Sequence, residues 1–393
     1  MTRTGVGSRV SSRDAWIRGF ITAWTDENAG TSWISIAAVA RRFRGPARND
    51  AVARRIRTST AAALVLTACT AVALSGCQRS TLPATLSDAE FRVLLETLSE
   101  PAGTFDLSDN LVSNEPRFAE NVRWLRASGG VYIGVGPEQN FSYIAQLRPA
   151  IAFIVDIRTE NRNLHLLYKA LFELSLDRSE FVSRLFSRPR PDDLGSGASV
   201  DEIFSRYADV PPSLALYEAT LALIRDRLVA VRALPLAHSD LESIERVLKA
   251  FLSDGPSIDF WGSRAVDADT LRPSYRELMT ARDIMGHRRS FLASDDAFNF
   301  VKDLHLRNRI VPVVGDFAGA RALKSIGDYI RRHRDVVRAF YGSNVGVYLN
   351  NQQTRVFCGN LANLPAAPGA WFIESDGVRT YASKLASCAP FPK

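Results

Sequence analysis

Methionine is scarce in this chain of 393 residues: beyond Met1 there are only Met279 and Met285. Histidine and cysteine are few as well. His165, His238, His287, His305 and His333 share no ligand spacing, and the four cysteines form no cluster, so a metal site is not expected. No Gly-Lys-Ser/Thr phosphate loop and no Gly-x-Ser-x-Gly nucleophile elbow occurs, which leaves P-loop and serine-hydrolase chemistry without support. Charge of one sign is also missing from most of the chain. Residues 1–76 hold 11 arginines, no lysine and 4 acidic residues, so they account for the entire formal charge of +7, and residues 77–393 are neutral. A basic pI of about 9.4 therefore says nothing about nucleic acid, whose phosphates demand a clustered cationic excess. With 46% apolar and 23% charged residues the composition is that of a globular protein, with room for one sizeable domain or two small ones.

The basic excess belongs to a leader. Arg54, Arg55 and Arg57 precede an apolar run from Ala61 to Leu74, which ends in Leu74-Ser75-Gly76-Cys77. The run is too short for a comfortable bilayer span of about 20 residues, and the pattern resembles a lipoprotein signal with its lipobox. The resemblance implies cleavage before Cys77, acylation of that residue, and a membrane anchor without a transmembrane helix, on the periplasmic face or the outer membrane of a bacterial envelope. A buried apolar helix is the other reading of the run. A start at Val52 would give the signal, 52–76, a normal length and would leave residues 1–51 outside the native protein. Native peptides from Thr2 to Asp50 in mass spectrometry would contradict that start. With Cys69 removed and Cys77 acylated, Cys358 and Cys388 remain as an even pair. In an oxidising compartment they suggest a disulfide, the alternative being two free thiols.

After a short polar tether, 77–86, residues 87–393 read as one α/β domain. Ser87 and Glu90 form a capping box for a helix through Ser99. Val131-Tyr132-Ile133, a Gly134-Val135-Gly136 turn, a helix through Leu147 and the continuous apolar run Ile151 to Val155 ending in Asp156 read as βαβ, because unbroken apolarity suits a strand buried on both faces. From about 160 to 305 the pattern is helical. Leu164, Leu167, Leu171 and Leu174 form one core stripe, and Leu214, Tyr217, Leu221, Ile224, Leu228 and Val231 form another. Ser239 and Glu242 suggest a further cap. Strand character returns at Ile310 to Val314, at Val336 to Tyr341 and at Ala370 to Ile373, with a helix from Ala320 to His333 between the first two. Alternation of this kind predicts a doubly wound, mostly parallel sheet with a large helical insertion between strands 2 and 3.

In such a sheet the ligand crevice lies beyond the carboxyl ends of the strands, where Gly134, Gly136, Asp156, Asp316 and Asn344 all fall. Glycine permits close backbone approach, and a carboxylate twenty residues beyond Gly136 suits a ribose diol. Asp109-Asn110 and Ser113-Asn114-Glu115 precede the first strand and could fold over the site, with a plain polar loop as the preferred reading of the two. Arg288-Arg289 and Arg331-Arg332-His333-Arg334 read as solvated basic faces.

On these residues the chain resembles class I S-adenosylmethionine-dependent methyltransferases of Rossmann-like fold. Val131 to Asp156 is similar to their first two strands, Val313-Val314-Gly315-Asp316 to the end of the third, whose Asp faces adenine, and Ser343-Asn344 to the polar motif of the fourth. Gly134 to Phe141 and Ser343-Asn344-Val345 also resemble a less-known family of uncharacterised bacterial proteins with this fold, over about Leu98 to Ser375. The resemblance implies that Gly134, Gly136, Asp156 and Asp316 hold S-adenosylmethionine and that Asn344 positions an acceptor. Two positions depart from the pattern: Tyr132 stands where an acid is usual, and Glu138 where a third glycine is. Glu138 either meets the methionine amine of the cofactor or faces solvent at a helix N-terminus.

Methyl transfer needs alignment and water exclusion more than acid–base groups, so the lack of a triad is no objection. An exported enzyme would, however, be starved of a cytosolic cofactor. A lipid-anchored binding or scaffolding protein that keeps the fold without catalysis is the competing reading. Nicotinamide-dependent oxidoreduction is a third, weakened by Gln139 standing where another glycine is expected. A small nucleoside ligand and the membrane are the expected partners, and no protein partner can be named.

Overall fold

In the computed structural model, which describes residues 80–105, 109–261 and 272–388, the continuous apolar runs become the buried centre of a six-stranded sheet. Cys77, the signal at 52–76 and residues 1–51 lie outside the described residues. The strands are β1 (Val131–Gly134), β2 (Ile151–Asp156), β3 (Ile310–Val314), β4 (Val337–Ser343), β5 (Ala366–Glu374) and β6 (Gly377–Thr380). Every residue of β1, β2 and β3 is buried, as strands covered on both faces require. Their order is 3-2-1-4-5-6; the first five are parallel, and β6 pairs antiparallel with β5. Pro312 is tolerated because β3 is the edge strand, and that edge is covered where Glu100 N donates to the Val314 carbonyl and Val314 N to Ser99 Oγ.

Thirteen α-helices are described. Two precede the sheet, α1 (Asp88–Leu98) and α2 (Phe118–Trp124), and α3 (Gln139–Leu147) joins β1 to β2. Between β2 and β3 lie α4 (Thr159–Leu174), α5 (Arg178–Phe186), α6 (Val200–Ala208), α7 (Leu214–Arg225), α8 (His238–Asp254), α9 (Tyr275–Met279) and α10 (Asp295–Leu306). The rest are α11 (Ala322–Arg332), α12 (Asn351–Asn363) and α13 (Tyr381–Ser387). None of the helices among the described residues is long and apolar enough to cross a membrane. The insertion is packed into the core: Phe141 of α3, Phe172 of α4, Phe181 of α5 and Phe291 meet ring to ring at 4.7–5.9 Å. The capping box of α1 forms as the sequence predicts, with Ser87 and Glu90 each accepting from the other's backbone.

Several local expectations are corrected. Leu214 and Val231 are 68% and 51% exposed, so only the middle of the second stripe is core. At the far end a π-turn, Asp226–Val231, adds a residue per turn and rotates Val231 away from the face that buries Leu228. The helix at 238 is closed by Asp240, whose carboxylate accepts the Ala237 amide, and not by Ser239. Arg288 and Arg289 are ion-paired, with Asp201 and Asp283, and are not merely solvated. Within the segment 77–86 that the sequence suggests as a tether, Thr81 and Leu86 donate to the carbonyls of His333 and Arg307, so the chain already packs on the domain there. Every described residue falls within one compact unit running from Cys77 to Lys393. Cys358 in α12 and Cys388 after α13 form a disulfide.

Candidate functional site

The strand order reverses between β1 and β4, which leaves a gap beyond their carboxyl ends where α/β sheets take ligands. A crevice of about 310 Å³ opens there. Gly136, Asp156, Asp316 and Asn344 line it, each from the end of a different strand, together with Gly315 and Ser343. The segment before β1 supplies Thr104, Phe105, Asn110 and Ser113 to Glu115, and Phe260 comes from the insertion. Phe105 meets Tyr348 edge to face at 5.5 Å, so the two close one side of the crevice.

The turn after β1 is held by buried side chains. Gly136 has φ +77°, a conformation that favours glycine. The Asn140 amide reaches the carbonyls of Val135, Gly136 and Pro137 at 2.8–3.1 Å, and its oxygen accepts the Tyr132 hydroxyl at 2.9 Å. His165 Nε2 lies 2.8 Å from the Gly136 carbonyl. Burial pushes this histidine down to about 4, so the ring is neutral at physiological pH and donates from Nε2. Tyr132 is thus the residue that orients the clamp on the glycine turn.

Two candidates stand elsewhere than the crevice lining. Gly134 is enclosed: a Cβ there would collide with the Asn140 oxygen and lie 2.7 Å from the Tyr132 ring, so its smallness serves packing. Glu138 neither faces solvent nor lines the crevice. It is fully buried, and both carboxyl oxygens lie 3.2 Å from the Ser113 amide. Burial pushes its carboxyl up to about 8, against the Ser113 and Glu138 amides, which favour the charged form. Its physical role is to hold the Ser113–Glu115 segment against the start of α3.

Asp156 does line the crevice, but its carboxylate already has a partner. Arg158 Nε and Nη2 reach its two oxygens at 2.9 and 3.0 Å, the Arg158 amide adds a third bond at 3.0 Å, and both side chains are almost wholly buried. Asp316 accepts the Ala318 amide at 2.8 Å and is itself fixed through its own N–H by Glu100. The Asn344 side-chain oxygen lies 3.3 Å from the Ser343 hydroxyl.

Glu115, in a segment that the sequence favours as a plain polar loop, is a further acid of the crevice. It is 3% exposed and lines the crevice, its two oxygens accepting the Ser343 hydroxyl and the Gln139 amide. Burial raises its pKa despite hydrogen bonds from Ser343, Tyr341 and Gln139. The signal available in the sequence was the polar run Ser113-Asn114-Glu115, which local pattern cannot separate from an ordinary loop. Tyr341 and Arg158 carried none, since each looks like a common strand or loop residue.

No curated protein matches the chain in sequence. Residues 110–194 and 244–385 match a protein family described as a domain of unknown function, DUF7790, and leave out α6, α7 and the π-turn. With more than half of its length matched, the chain belongs to that family.

Proposed function

We propose that this is an envelope lipoprotein whose crevice binds a phosphate-free nucleoside of the S-adenosylmethionine type, with methyl transfer to an unidentified acceptor as its candidate activity. The observation that carries the reading is the charge inventory around the crevice. Among the described residues its only lining cation is Arg158, which binds both oxygens of Asp156. The start of α3, where a dinucleotide would seat its pyrophosphate, already carries the buried carboxyl of Glu138. Among the described residues phosphate would find no free counter-charge, whereas Asp316, Asn344 and the rim aromatics suit a nucleoside that is neutral or cationic. The finer fold assignment, a Rossmann-like sheet of the class I methyltransferase type, is supported by the 3-2-1-4-5 parallel order and the antiparallel last strand.

The second reading, a lipid-anchored binding or scaffolding protein without catalysis, is favoured by the Asp156–Arg158 pair, which leaves the diol-binding carboxylate occupied. Calorimetry with S-adenosylmethionine, S-adenosylhomocysteine and nicotinamide dinucleotide separates the readings. The first two are expected to bind and the third not. At 100 times its dissociation constant a ligand adds about 2.7 kcal/mol and raises the unfolding midpoint by several degrees. Asp316→Ala is expected to weaken binding at least tenfold. No binding at millimolar ligand removes the nucleoside reading, and binding without methyl transfer to any envelope fraction supports the second.

A further inference from the structure

The basic run Arg331 to Arg334 takes no part in the crevice, yet it lies where the chain joins the domain. Thr81 donates its amide to the His333 carbonyl at 2.9 Å, the His333 ring lies 3.1 Å from the Thr81 carbonyl, and Ser80 Oγ donates to Asp335 at 2.6 Å. These contacts sit just before β4, at the amino-terminal edge of the parallel strands, whereas the crevice opens at their carboxyl ends. Arg332 and Arg334 are exposed and have no ion-pair partner among the described residues. Of the acids nearby, Asp328 pairs with Arg331 at 2.7 Å and also feels the charge of Arg332 without an ion-pair contact, Asp335 takes the Ser80 hydroxyl, and Glu90 feels the charge of His333. Cys77 precedes Ser80 by three residues, so a lipid on Cys77 can lie no more than about 11 Å of extended chain from this fixed point.

We propose that the Arg331–Arg334 edge is a docking face for anionic phospholipid headgroups, seating the domain on the bilayer with its crevice opening toward the aqueous phase. The choice of a lipid surface rests on reading Cys77 as the acylated residue. So short a leash allows no free excursion, and whichever edge carries the attachment must meet the headgroups. Unpaired arginines lower the free energy of that contact on an anionic surface, and with the acyl chains they form the two-signal attachment that fixes orientation as well as location.

The test uses the mature unit, residues 77–393, carrying Cys77→Ser so that no lipid contributes. Sedimentation with vesicles of one-third phosphatidylglycerol and two-thirds phosphatidylcholine is expected to carry the protein down, and vesicles of phosphatidylcholine alone are not. The double variant Arg332→Glu/Arg334→Glu is expected to lower partitioning roughly 20-fold or more, with an unchanged unfolding midpoint, and about 0.5 M salt to abolish binding. Equal binding to both vesicles, or indifference to the double charge reversal, overturns the proposal. Labelling of the wild-type chain with radioactive palmitate tests Cys77 separately. Labelling without charge-dependent binding keeps the anchor and removes the docking face; charge-dependent binding without labelling keeps the face and removes the anchor.

Discussion

At the scale of single residues, glycines that look alike in sequence do different work. Gly136 occupies a left-handed turn on the crevice, while Gly134 yields space to Asn140 and Tyr132. Gly134→Ala is therefore expected to destabilise the fold by about 2 kcal/mol through overpacking, read as a lowered midpoint in thermal unfolding. Histidine chemistry supplies a second prediction. In the unfolded chain His165 takes a proton below its ordinary value near 6.5, but buried beside Gly136 it resists down to about 4. Stability present above pH 6.5 is then lost as pH falls toward 4, by up to about 3 kcal/mol from this ring. His305, buried among Phe141 and Phe172, shifts in the same direction. Urea unfolding at several pH values is expected to show this acid loss. His165→Gln, which keeps a donor for the Gly136 carbonyl, is expected to shrink it without removing the part that belongs to His305. Neither burial nor partner was legible in the sequence, where the five histidines differ only by position. Glu138 and Glu115 make the same point. Local spacing singled out Glu138, and burial placed Glu115 in the crevice instead.

At the scale of elements the sequence was read more fully. The ends of β1, β2 and β3 and the capping box of α1 follow from apolar runs and cap chemistry, which are local signals. What escaped was marginal or tertiary: the short helix α2, the polar-faced α12, and β6, whose half-exposed residues carry no run of apolar side chains. The π-turn escaped because one inserted residue leaves the 3,4 spacing intact on paper while turning the face. The Cys358–Cys388 bond ties α12 to the end of α13 across 30 residues. Cys358→Ser is expected to cost about 2 to 4 kcal/mol, measured as a lower urea midpoint with the crevice ligand affinity little changed.

At the scale of the whole molecule, a buried ionic cluster ties the insertion to α1 and to the turn before β3. Glu173 of α4 accepts Lys169 at 2.8 Å and Arg232 at 2.9 Å, while Lys169 also donates to the His305 carbonyl and to Asn308. Asp88 of α1 joins through Arg232 and Asn308. Burial pushes Lys169 down to about 8, against the pull of Glu173. Glu173→Gln leaves two buried cations with less compensation and is expected to destabilise the fold by about 3 to 5 kcal/mol, read in thermal or urea unfolding. By itself the sequence determined the alternation of strands and helices, the neutrality of the body, and the four strand ends that now line one crevice, because periodicity, composition and turn chemistry are properties of neighbours along the chain. The tertiary structure alone decided that Arg158 occupies Asp156, that Glu138 is sealed beneath the Ser113 loop, and that Glu115 reaches the crevice. The physical reason is that desolvation and ion pairing depend on what the rest of the molecule packs around a group, and no local pattern encodes it.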